Sequence, residues 1–152
     1  MLTIDRVSTG RTLVSEELFA QLTARIARDH PELAADLPAR IMDQALAFLA
    51  ACATATEPLG PSELVDIGWH TFILHTREYA AFCQRIAGRF IHHQPDPPSD
   101  ETGRAEPEPL GAPIARTVAA ITAAGFFLDR PLWIAAADCS QCHAGCHDSP
   151  TR

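Results

Sequence analysis

The residues with most chemical capacity lie near the C-terminus, where the chain reads "ADCSQCHAGCHDSPTR" over residues 137–152. Three of five cysteines and two of seven histidines fall between Cys139 and His147. Thiolate and imidazole are the donors that hold zinc, copper or iron. Cys139 and Cys142 have the CxxC spacing that lets two thiolates grip one ion from a tight turn. Cys146 follows four residues on, and His143 or His147 can supply a fourth ligand. Gly145 gives the backbone freedom to close. "CSQCH" also fits the CxxCH signature of c-type haem attachment, with His143 axial. That chemistry generally follows export, and "MLTIDRVSTGRTLV" is too polar for a signal peptide. A third reading is a thiol–disulfide switch between Cys139 and Cys142, without the βαβ context of thioredoxin-like enzymes. Metal leads these readings, zinc first and iron or copper behind it. An ion would offset the ordering entropy of a tail with almost no apolar surface, about 1–2 kcal/mol per residue.

A second ligand group lies mid-chain in "VDIGWHTFILHTREYAAFCQRIAGRFIHH". On a helix turning about 100° per residue, Leu64, Val65, Gly68, Trp69, Phe72 and Ile73 share the buried half. Asp66 and His70 fall together on its flank, four residues apart, where the carboxylate can orient the imidazole or share its metal. A lone pair of this kind is more often a simple hydrogen bond. His92 and His93, one helix further on, can fold back beside it, and His75 swings toward the buried face if the helix continues. A site of this composition suits zinc, copper, iron or nickel. With two histidines and one carboxylate it is compatible with a catalytic ion under a lid.

The same residues carry a family resemblance. Asp66, Trp69, His70, Tyr79, Gly88, Phe90-Ile91 and His93 resemble the pattern of the glycine-rich-domain-containing-protein-like family. This chain has Phe72 where many relatives have a second histidine, and His75 three positions later. The resemblance implies a helical domain with a cysteine-rich stretch after a linker, and no particular reaction.

These groups must be positioned by helices. Residues 15–29 are amphipathic, with Ser15 as N-cap and Leu18, Phe19, Leu22 and Ile26 on one face. Residues 38–55 form the strongest helical pattern, with Pro38 in the first turn and Cys52 as a small buried hydrophobe. A third helix enters at Pro61 or Ser62, a fourth is capped by Thr76 and stopped by Gly88, and a fifth runs 113–125 from Pro113 to Gly125. Residues 94–113 hold six prolines, and five carboxylates face one arginine there, the composition of a linker or lid. "FFLDRPLWIAA" packs back on the core.

The expected fold is therefore all-α, a compact bundle of about five helices. Its helical core spans 1–93, its linker 94–112, its returning segment 113–136 and its Cys/His tail 137–152, all in one domain. A chain of 152 residues, 47% of them apolar, can bury a core of its own. Its net charge of −7, with twelve arginines and no lysine, argues against nucleic acid as partner. No apolar run is long enough for a membrane span. The expectation is a cytoplasmic metal-binding protein that serves a protein or small-molecule partner, with a metal-dependent enzyme as the alternative. No G-x-S-x-G elbow, Walker loop or Rossmann loop is present.

Overall fold

A computed structural model describes residues 6–93 and 112–133. A 3-10 helix over Gly10–Leu13 precedes α1 (Glu16–Asp29), α2 (Leu37–Thr54), α3 (Glu63–Leu74), α4 (Thr76–Ala87) and α5 (Ala112–Ala123). Among the described residues there is no strand, only an isolated bridge between Ser8 and Phe126. The all-α expectation holds. The 3-10 helix was not foreseen, because its four residues, GRTL, carry no helical periodicity. No helix of the described residues is long and apolar enough to cross a membrane.

Local chemistry sets the helix starts. The hydroxyls of Ser15 and Ser62 accept the amide N–H of Leu18 (3.1 Å) and Val65 (3.2 Å), each satisfying one orphan donor of a first turn. The fourth helix differs from expectation. Its N-cap is His75, not Thr76, and no side chain caps it. The chain bends between Leu74 and Thr76, so His75 ends one helix and opens the next instead of continuing onto the buried face.

α2 is the central rod and touches the 3-10 helix and every other α-helix. Ile41, Met42, Leu46, Phe48 and Leu49 on it are fully buried, as are Leu22 and Ile26 of α1, Phe72 of α3 and Ile121 of α5. The approach of α3 to α2 is set by Gly68. A Cβ built there would sit 2.8 Å from the Ala45 Cβ and 3.1 Å from the Ile41 Cγ2. Gly68→Ala is therefore expected to destabilise despite better helix propensity. Overpacking of about 1–3 kcal/mol outweighs a propensity gain near 1 kcal/mol, which a lowered denaturant midpoint will register.

The segment after α5 returns to the bundle as its apolar character suggested. Ser8 N–H donates to Gly125 O (2.9 Å), and Phe127 N–H donates to Ser8 O (2.8 Å). A buried glutamine, Gln44, then holds 127–133. Its amide donates to Phe127 O (3.0 Å), while its Oε1 accepts the Asp129 N–H (3.0 Å) and the Trp133 indole N–H (2.8 Å). Arg40 adds a two-pronged pair to Asp129, at 2.8 and 2.9 Å. Trp133 is thereby fully buried against Phe48.

Candidate metal centre

Asp66 and His70 stand one turn apart on the flank of α3, as their spacing predicts. His93 arrives from beyond α4. Its Nε2 lies 2.8 Å from Asp66 Oδ1, and the His70 Nε2 lies 3.1 Å from Asp66 Oδ2. One carboxylate thus faces two imidazoles, one on each oxygen. The two rings meet edge to face with centroids 4.2 Å apart. The three ligand atoms fall within 4.8 Å of one another. Asp66 and His93 are partly shielded, with side chains 32% and 20% exposed, whereas His70 is 60% exposed and leaves one side open to solvent.

Three features bring His93 back across a separation of 27 residues. The first is Gly88, which ends α4 in the left-handed region at φ 67°, where an L side chain is strained. The second is a relay through buried Tyr79. The Trp69 indole N–H donates to the Tyr79 hydroxyl (2.9 Å), and that hydroxyl donates to Ile91 O. Burial pushes the Tyr79 phenol well above its ordinary pKa, so it stays protonated and serves as donor and acceptor together. The third is the Trp69 ring, which packs against His93 at 4.3 Å between centroids with the planes tilted by 53°. Tyr79→Phe leaves the Trp69 N–H and the Ile91 carbonyl without partners. It is expected to cost about 2–3 kcal/mol and to speed amide exchange in residues 91–93, as read by hydrogen exchange.

The other expected ligands are not brought to this cluster. His75 is half-buried, and its Nδ1–H donates to Thr71 O (3.1 Å), an engagement imposed by the bend after Leu74. His92 is exposed and packs on Phe90 at 4.8 Å. Neither is among the three clustered residues. Cys139, Cys142, His143, Cys146 and His147 lie outside the described residues, as does the linker 94–111. Cys52 and Cys83 are free thiols. Burial pushes Cys52 up to about 12, in keeping with a packing role and against a thiolate at neutral pH.

The arrangement suits a first-row metal ion. Ligand atoms about 2.0–2.2 Å from a tetrahedral centre are separated by roughly 3.3 Å. The two imidazole–carboxylate distances, 3.1 and 2.8 Å, run to different oxygens of Asp66, and all three donors lie within 4.8 Å, near enough for side-chain adjustment to bring them to one ion. Without an ion, each Nε2–H donates to a carboxylate oxygen, so the unliganded donors are mutually satisfied. Sequence reasoning found all three residues. It missed Trp69–Tyr79–Ile91 as the positioning device, because no residue spacing encodes a hydrogen bond that joins two helices and an extended segment.

Comparison with known proteins corrects the expected kinship. A family model described as UCP032817-like matches residues 9–105. The chain belongs to the UCP032817-like family. Membership of the glycine-rich-domain-containing-protein-like family is not borne out. The residues that suggested it are largely those that close the turn at Gly88 and seat His93, so they mark a local architecture instead of that kinship. The UCP032817-like match spans the 3-10 helix, α1 to α4 and the whole Asp66–His70–His93 cluster. No curated protein and no solved structure matches the chain.

Proposed function

We propose that this protein is a small helical metal-binding module, with one divalent ion, zinc first, held by Asp66, His70 and His93. The observation that carries this is the convergence of three borderline ligand atoms within 4.8 Å from two segments joined only through α4. Imidazole and carboxylate donors suit zinc, iron and copper better than calcium or magnesium, which take all-oxygen shells. Zinc prefers four ligands, so three protein donors leave one position for water or for another donor of the chain. The tail thiolates and imidazoles, Cys139 to His147, are donors of the right class for that position or for a second ion of their own. Isothermal titration of the metal-free full chain, with elemental analysis after dialysis, tests the proposal. Retention of at least one equivalent of zinc supports it, and protein that leaves dialysis metal-free removes it.

A metal-dependent enzyme is the second reading, favoured by the 60% exposure of His70, which opens the cluster to solvent on one side. A three-ligand ion with an open position can acidify a bound water or polarise a carbonyl. Cobalt-substituted protein distinguishes the two. A visible spectrum that shifts with added azide indicates an exchangeable position, and an unmoved spectrum indicates a closed structural ion. A thiol switch at Cys139 and Cys142 is tested by thiol titration across a glutathione redox series.

A further inference from the structure

A second feature is a cleft of about 320 Å³ between the end of α2 and the segment after α4. Leu59 and the exposed edges of the otherwise buried Trp69 and Ile91 supply its apolar surface, and Cys52 stands at its α2 wall. Arg89, His92 and Thr56, all exposed, border it with side chains able to donate hydrogen bonds, and Arg89 alone among them carries a fixed positive charge. The guanidinium of Arg89 is tethered at one corner, donating from Nη2 to Cys52 O (3.2 Å). Among the described residues no carboxylate pairs with it. The one acidic side chain of the cleft, Glu57, is drawn off by Arg116 at 3.2 Å. A comparable cleft on the far side of the 55–59 loop has Arg116 as its cation, already engaged with Glu57 and with Pro58 O (2.6 Å), and is otherwise walled largely by alanines. The two clefts have equal volume, and among the described residues only the first combines a cation without a carboxylate partner with an aromatic lining residue.

We propose that the Arg89–His92 cleft is a binding site for a small monocarboxylate with a flat apolar body. The carboxylate would take the free edge of the Arg89 guanidinium and the His92 ring N–H, and the body would lie against Trp69, Ile91 and Leu59. Charge-assisted pairing of a planar guanidinium with a planar carboxylate gives this site its selectivity, and a concave apolar wall gives it affinity. The volume is at the lower end for ligand sites, which restricts the ligand to a single ring. His92 lines the cleft, while its neighbour His93 joins the metal ligands. A ligand in the cleft therefore contacts the same Trp69 that packs against His93. The site does not depend on metal binding.

Benzoate is the probe, titrated into the metal-free full chain and followed by amide and indole N–H shifts. The expected result is saturable movement of the Trp69 indole and of the amides of Arg89, Ile91 and His92, with a Kd of about 1 mM. Benzyl alcohol, the uncharged counterpart, binds at least about tenfold more weakly, and so does benzoate to the Arg89→Gln protein, while Arg89→Lys retains part of the affinity. The titration uses metal-free protein, so its outcome does not depend on whether the metal reading holds. Shifts that do not saturate, equal binding of benzyl alcohol, or an unchanged Kd in a folded Arg89→Gln protein would overturn it.

Discussion

Protein carrying His70→Ala and His93→Ala together is expected to bind zinc at the Asp66 site at least about 100-fold more weakly while remaining folded. The loss is large because one carboxylate cannot hold the ion alone, and nothing else among the described residues has a ligand atom in the cluster. The fold survives because His70 is 60% exposed and, among the described residues, makes its polar contact only with Asp66. His93 also loses its packing against Trp69, which costs about 1 kcal/mol. Asp66→Asn separates a metal site from a hydrogen-bonded clamp. The amide oxygen still accepts one imidazole N–H, so the apo fold changes little, but the anionic ligand is gone and zinc affinity falls. A clamp without a metal role predicts no change in zinc stoichiometry in either variant.

The largest effect on stability is expected at Gln44, far from the ligands. Gln44→Leu keeps the volume and removes the hub. The indole N–H of Trp133 and the amide of Asp129 lose their acceptor, and Phe127 O loses a donor. Each buried group left unpaired costs about 1–3 kcal/mol, so the total is about 3–5 kcal/mol, a fall in melting temperature of roughly 10–20 °C. Gln84→Leu is the control, since Gln84 is exposed on α4 and a surface change of this kind stays within about 0.5 kcal/mol. A Gln44→Leu melting curve no lower than the control's would show that the 127–133 segment contributes little to the core. The zinc stoichiometry of this variant follows its folded fraction, because Gln44 touches none of the three ligands.

Much of the scaffold was legible because its signals are local. Ser15 and Ser62 cap as serines before an apolar helix do, Pro113 lies in the first turn of α5, and Gly88 stops α4. Asp66 and His70 were readable as a pair because a helix of regular pitch brings them together. His93 was readable only as a candidate that a single intervening helix could return. What the sequence could not disclose is long-range. The Gln44 contacts reach across separations of 83 to 89 residues, as does the Arg40–Asp129 pair. The place of His75 was left open, on the buried face only if α3 continued, because no proline or glycine announces the bend that ends the helix at Leu74. The family resemblance failed for a related reason, since residues that close a turn resemble one another wherever that turn is built.

The direct test of the central claim is zinc-edge X-ray absorption on the loaded full chain, compared with the His70→Ala/His93→Ala protein. A centre built on Asp66, His70 and His93 predicts a nitrogen and oxygen shell at about 2.0–2.1 Å with imidazole scattering, lost in the double variant. A sulfur shell alone at about 2.3 Å, unchanged in the double variant, would contradict it.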